Sequence, residues 1–443
     1  MPLRTRCARP SIVFPVTGAV SFPRPSRTGP LPVLTCLRRT AVDFIDTSPQ
    51  RQEVFSPRSR GRCGGDPFTA VEKGRALSPM SEEHGGDIWG AARALGVGPG
   101  EITDFSASIT PFGPGDAALE AARRALRLAG AYPDRSMREL RGALARLYGV
   151  EEGEVLPGNG STEFIYLVPA VFAPASALVV DPCFSEYRAA LEAYGCRVEG
   201  LAAREEDRFL PDGDELFAAV DGGGYDLVWL ANPANPTGAA MEREFVVETA
   251  RRCLRRGAVL VVDEAFADFD ESLSVKGDAV GMENLVVLRS MTKFFALAGL
   301  RVGAVVACRA VIERFERLAP PWSVNVAAAA AAVAAIDDAA HAGRIRRWLR
   351  DEAPRMRRRI EATGVCEVFP SAANYFLLKL RPPGITGRHV RKLLFERMML
   401  VRDMRGFRGL DDRFLRVAVR LPAENDMLAR GLAAAAASGQ RSP

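Results

Sequence analysis

The sequence predicts an α/β fold with a large domain built on a mainly parallel sheet and a smaller α+β domain. Two observations carry this. Across residues 126–325 short apolar runs alternate with helical stretches; several runs are β-branched, apolar throughout and followed by polar residues. Parallel strands covered on both faces read this way. Beyond residue 326 the pattern becomes one long helical segment, then strand, helix and strand.

Taken in order, residues 1–79 are rich in Pro, Arg, Ser and Gly and lack periodicity, so they read as a disordered or mis-assigned extension, with Met80 as the true start. Residues 80–125 are expected to join the small domain. In the large domain, 126–325, the strand candidates are 177–180, 227–230, 259–262, 285–288 and 303–307. Ligands of open α/β sheets gather beyond the carboxyl ends of strands, which draws attention to the polar followers Asp181, Asn232, Asp263 and Ser290. Residues 326–361 read as a single linking helix. Strands at 374–380 and 414–419 flank a helix at 388–398; with the linking helix they make up 326–436, and 437–443 is a tail.

The 443 residues carry a net charge of +5, but residues 1–79 hold 13 Lys+Arg against 5 Asp+Glu, leaving 46 against 49 in the rest. The basicity belongs to the extension, so a nucleic-acid partner is not expected. A regulator fused to a DNA-binding segment would need a helix-turn-helix ahead of the fold, and the scattered prolines of 1–79 offer none. No apolar run is long enough for a membrane span. The eight cysteines form no C-x-x-C pair and the three histidines no ligand pattern, which points to a reducing, cytoplasmic setting and no metal.

The chemistry gathers after the strands. Arg289-Ser290-Met291-Thr292-Lys293 follows a strand and leads to Gly299-Leu300-Arg301-Val302-Gly303, so two hydroxyls and a guanidinium can converge on one phosphate beside an amine. Val262-Asp263-Glu264-Ala265-Phe266 ends a buried strand, where an unpaired carboxylate is costly and a protonated ring nitrogen would relieve it. The prolines of Asn232-Pro233-Ala234-Asn235-Pro236-Thr237-Gly238 fix an irregular loop able to present the Asn235 amide. Gly158-Asn159-Gly160-Ser161-Thr162-Glu163 precedes a helical run at 162–172, a second anion site. An amine for an aldehyde, an acid for a pyridine nitrogen, a phosphate cradle and a cation for a carboxylate are what pyridoxal 5'-phosphate chemistry requires.

In this order the motifs resemble the class I and II aminotransferases, the group that includes histidinol-phosphate aminotransferase. His84-Gly85-Gly86-Asp87-Ile88, Asp104-Phe105-Ser106-Ala107, Tyr132-Pro133-Asp134, Pro321-Trp322-Ser323-Val324-Asn325, Ala373-Asn374-Tyr375 and Arg416-Val417-Ala418-Val419-Arg420 further resemble the threonine-phosphate decarboxylases of cobalamin biosynthesis, from about residue 84 to 436. The resemblance implies an aspartate aminotransferase-like fold and a homodimer. It implies Lys293 as the lysine that holds the cofactor's aldehyde and Asp263 as the partner of its ring nitrogen. Asn235 would meet the phenolic oxygen and Phe184 would stack on the ring, with Phe266 beside it. Gly160, Ser161, Thr162, Ser290, Thr292 and Arg301 would hold the cofactor phosphate, joined by Tyr132 from a second subunit. Arg416 would bind the carboxylate of a phosphorylated amino acid, with His84, Gly85, Asn374 and Arg420 lining its pocket.

Phe266 departs from the aminotransferases, which usually carry a tyrosine there, and agrees with the decarboxylases. Ser108, Thr110 and Asp87 depart from the decarboxylase pattern, which has asparagines at these positions. The expected reaction is decarboxylation of L-threonine phosphate to 1-aminopropan-2-yl phosphate; the alternative is an aminotransferase acting on histidinol phosphate or a related amino acid.

Overall fold

A computed structural model describes residues 85–439. The extension 1–79, the expected true start at Met80, His84 and the last four residues of the tail lie outside the described residues.

A short strand, β1 (Thr103–Asp104), precedes the central sheet. That sheet contains β2 (Val155–Gly158), β3 (Ser176–Asp181), β4 (Arg197–Ala202), β5 (Leu227–Ala231), β6 (Val259–Asp263), β7 (Leu285–Ser290) and β8 (Gly303–Val306) in the order β2-β8-β7-β6-β5-β3-β4. All neighbours are parallel except β8, which runs antiparallel to both β7 and β2. Leu227, Trp229 and Val261 enter the core on one face, and Val228, Leu230, Leu260 and Val262 enter the core on the other. Each such side chain contributes about 1.5–3 kcal/mol by burial, which is why these runs carry no polar residue until they leave the sheet.

The five expected strands are present, and the two unexpected ones, β2 and β4, are the sheet's edges. Pro157 and Gly158 in β2 read as a turn, and an edge is where a sheet tolerates proline. Arg197 and Glu199 in β4 break the apolar pattern and guard an otherwise open strand.

The expected single helix at 326–361 is two helices, Val326–Asp337 and Ala339–Glu361, bent by 73°. Asp338 causes the break: its carboxylate accepts from the His341 N–H at 2.9 Å and caps a new helix instead of continuing the old one. Among the described residues no single helix is long and apolar enough to cross a membrane.

A second sheet, in the order β12-β13-β10-β9, is antiparallel and comprises β9 (Cys366–Val368), β10 (Tyr375–Leu380), β12 (Arg402–Asp403) and β13 (Phe414–Ala418). Between them in sequence, β11 (Met399–Leu400) pairs in parallel with β1. The chain's early residues are thereby stitched to its late ones, beside the carboxyl ends of β5, β6 and β7.

Candidate active site

A cavity of about 320 Å³ opens where β5, β6 and β7 end. Asp263 is the last residue of β6 and Ser290 the last of β7, so strand register alone brings both to the cavity wall. Asp263 is buried; the Tyr187 hydroxyl donates to its Oδ2 at 2.6 Å and the Ala265 N–H to its Oδ1 at 3.0 Å. Burial raises its pKa, and these two donors counteract the rise. Tyr187 is itself fixed by stacking on Trp229, with ring centroids 4.8 Å apart. No motif had singled out Tyr187; only the fold reveals its link to Asp263, 76 residues away.

Lys293 lies three residues beyond β7, half-buried on the cavity wall. Its pKa falls to about 8, first through burial and then through the nearby Arg416 and Arg301 guanidinium groups. Its Nζ lies 6.0 Å from the centre of the Phe266 ring, and that ring packs edge-on against Tyr375 at 5.0 Å. Position 266 therefore supplies an apolar wall and no hydroxyl.

Ser290 Oγ and Thr292 Oγ1 lie 2.7 Å apart. Ser161 and Thr162 open the helix Ser161–Phe172, whose first N–H groups have no partner within the helix. Gly160 before it has φ +78, and a Cβ there would lie 2.7 Å from Arg301 Nη2; a Cβ at Gly303 would lie 2.3 Å from the Ser161 nitrogen. Two glycines thus let β8, Arg301 and the helix N-terminus close on one point. Hydroxyls, a helix start and a guanidinium suit a phosphate dianion.

Arg416, on β13, is buried and reaches the same cavity from the second sheet. Its Nη1 donates to Asn235 Oδ1 and its Nη2 to the Ser106 carbonyl at 2.9 Å, while Nε has no protein partner. The guanidinium faces the Tyr375 ring at 5.1 Å, and burial lowers its pKa. Asn235 sits in a loop closed by Asn232, whose amide exchanges two hydrogen bonds with the Met241 backbone at 2.9 and 3.0 Å. With its oxygen committed to Arg416, the Asn235 side chain keeps its NH₂ for an acceptor in the cavity.

The cavity therefore gathers Gly85, Ser161, Thr162, Phe184, Asn235, Asp263, Phe266, Ser290, Thr292, Lys293, Arg301 and Arg416. Four expected residues are not on its wall. Gly160 stands behind Arg301. Asn374 is fully buried beside the wall, with both amide atoms unpartnered. Arg420 points elsewhere, bonded to Glu424 at 2.9 Å and the Asp104 carbonyl at 3.1 Å. Tyr132 is 80% exposed and stacked on Trp322. Asp181 also turns away from the cavity, pairing with Arg188. The wall further includes Arg402, Phe407, Ser106 and Ser108, the last with a buried hydroxyl that has no protein partner. Arg402 lies on a two-residue strand that no periodicity could flag. The donor set fits pyridoxal phosphate: an amine of lowered pKa, a buried carboxylate across from it, a hydroxyl-lined anion cradle and a fixed arginine.

Residues 100–432 match the family model "Aminotransferase class I and II". The chain is 37% identical over 358 residues to threonine-phosphate decarboxylase of Salmonella typhimurium, covering 80% of this chain and 97% of that protein. The crystal structure of histidinol-phosphate aminotransferase from Clostridium acetobutylicum superposes with a TM-score of 0.71 at 25% identity, over 76% of this chain and 100% of that one. That of L-threonine-O-3-phosphate decarboxylase from Porphyromonas gingivalis gives 0.66 at 28% identity, over 75% and 98%. With the family model spanning most of its length and the cavity built from that family's motifs, this chain belongs to the class I and II aminotransferases.

Proposed function

We propose that the chain is a pyridoxal-phosphate-dependent carbon–carbon lyase that decarboxylates L-threonine phosphate to 1-aminopropan-2-yl phosphate, a step of cobalamin biosynthesis. The observation that carries the reading is Phe266, whose apolar ring fills the position where aminotransferases of this family usually offer a tyrosine hydroxyl; the 37% identity to a threonine-phosphate decarboxylase supports it. Bound here, pyridoxal phosphate supplies an electron-withdrawing ring conjugated to the substrate's α-carbon.

The chain's residues do the rest. Ser290, Thr292, Arg301, Ser161, Thr162 and the Gly160 turn grip the cofactor phosphate. Asp263, whose carboxylate accepts from the Tyr187 hydroxyl and the Ala265 N–H, would pair with the ring nitrogen and hold a proton there. Phe184 would cover the ring, and Asn235 would offer its NH₂ to the phenolic oxygen. Arg416 would grip the α-carboxylate and orient it for release as carbon dioxide. Lys293, with a pKa near 8, then returns a proton to the α-carbon. Arg402, a further cation on the cavity wall, is the residue we assign to the substrate's own phosphate.

We further propose a cytoplasmic homodimer, with Tyr132 reaching the partner's cofactor phosphate, and a division into a large domain at 126–325 and a small one formed by 80–125 and 326–436. The test supplies, in parallel, threonine phosphate alone and histidinol phosphate with 2-oxoglutarate. Carbon dioxide release without an oxoacid is the expected result; glutamate formation from the second mixture and no carbon dioxide from the first would overturn the reading.

A further inference from the structure

A buried arginine that must recognise a carboxylate needs its direction fixed before the ligand arrives, and the residues that fix Arg416 come from the far end of the chain. Its Nη2 rests on the carbonyl of Ser106, 310 residues away. That carbonyl belongs to a tight turn organised by one oxygen. Asp104 Oδ1 accepts from the Ser106 N–H at 2.7 Å, the Ser106 hydroxyl at 2.6 Å and the Ala107 N–H at 3.2 Å. The turn is tied down on both sides. The Phe105 N–H donates to the Leu400 carbonyl at 2.8 Å, and the Phe105 carbonyl accepts from the Ala418 N–H at 2.8 Å, two residues from Arg416.

The Gly86 N–H donates to Ser106 Oγ at 2.8 Å, and a Cβ at Gly85 would lie 2.4 Å from the Ser106 carbonyl oxygen. The Gly85-Gly86 segment thus lies directly on the turn. Asp104 does not line the cavity; it reaches the site through the turn it holds, and its charge is the smallest of the causes that favour the protonated forms of Arg416 and Lys293.

We propose that Asp104 is a positioning residue for carboxylate recognition: by folding the 104–107 turn it aims the Ser106 carbonyl, and the carbonyl fixes Arg416 in the direction a substrate carboxylate requires. This rests on the proposed role of Arg416. It separates Asp104 from a residue that merely stabilises the fold, because its loss must be felt by ligands that carry an α-carboxylate and not by ligands that lack one.

The experiment mixes the pyridoxal-phosphate-loaded enzyme in a stopped-flow instrument with threonine phosphate or with its decarboxylated counterpart, 1-aminopropan-2-yl phosphate, and reads binding of each from the concentration dependence of the rapid change in cofactor absorbance that precedes turnover. In Asp104→Ala the carboxylate ligand should weaken about tenfold or more and the amine by no more than about twofold, the size expected for loss of a hydrogen bond that orients a charged group. Asp104→Asn keeps an oxygen acceptor and should stay within about threefold of wild type for both ligands. Equal weakening of both ligands in Asp104→Ala, no weakening of either, or an Asp104→Asn as impaired as the alanine variant would each overturn the proposal. Wild-type enzyme that loads cofactor yet binds the amine and not threonine phosphate would overturn the decarboxylase reading instead.

Discussion

Burial beside Arg416 and Arg301 leaves the Lys293 amine with a pKa of about 8, against 10.5 for an unperturbed lysine. An amine attacks an aldehyde only when neutral, and a lowered pKa makes the neutral form dominant above pH 8 instead of above 10.5. Loading of the apoprotein with pyridoxal phosphate should therefore slow about tenfold for each pH unit below 8 and level off above it, as a stopped-flow absorbance series would record. A break near 10.5 would mean that the amine does not feel its surroundings in this way. At the other end of the cofactor, Asp263→Asn should cost roughly 10²-fold or more in kcat, because a neutral amide cannot hold the ring nitrogen's proton. Tyr187→Phe removes one donor to that carboxylate and should cost about tenfold, measured in the same assay. Lys293, Asp263 and the Ser290/Thr292 pair were legible in the sequence because each follows an apolar strand within a short motif. Tyr187 and Arg402 were not, since each works through a contact made only when distant segments meet.

Strand ends carry the site, and a buried charge cluster fixes two of them. Arg289, on β7 immediately before Ser290, is fully buried and pairs with Glu264 at 2.8 Å, Asp268 at 2.7 Å and Glu271. Glu264 follows Asp263 directly and also accepts from the Val275 N–H at 2.7 Å. Arg289→Met would leave Glu264 and Asp268 buried without their cation, while the partly exposed Glu271 keeps Lys276, and should lower unfolding stability by roughly 3–5 kcal/mol, read from urea denaturation. Gly160 serves the neighbouring element: alanine there meets both the left-handed backbone and Arg301, so Gly160→Ala should weaken cofactor binding about tenfold or more in an absorbance titration. The elements themselves were readable where burial on both faces imposed an apolar run, as in β5, β6 and β7. They were hidden where edges admitted Pro157 or Glu199, and where Asp338 bent what composition presented as one helix.

Across the whole molecule, the side of the cavity where we propose the substrate binds is assembled from residues 85–108, 235 and 402–416, which the pairing of β1 with β11 and the approach of β13 bring together. Such convergence has no local signature; only the resemblance to a known family pointed to Arg416, which lines the cavity, and the same resemblance pointed to Arg420, which does not line it and is bonded to Glu424. Tyr132, 80% exposed and stacked on Trp322, is where the proposed second subunit enters. A mixture of inactive Lys293→Ala and Tyr132→Ala chains should recover activity on subunit exchange, since one site of each hybrid dimer is intact; no recovery would remove Tyr132 from the partner's site. The most direct test is borohydride reduction of the cofactor-loaded protein followed by peptide mapping. The expected result is a single pyridoxyl adduct, on Lys293, and none in Lys293→Ala; an adduct on another lysine, or none in the wild type, would contradict the assignment of this cavity.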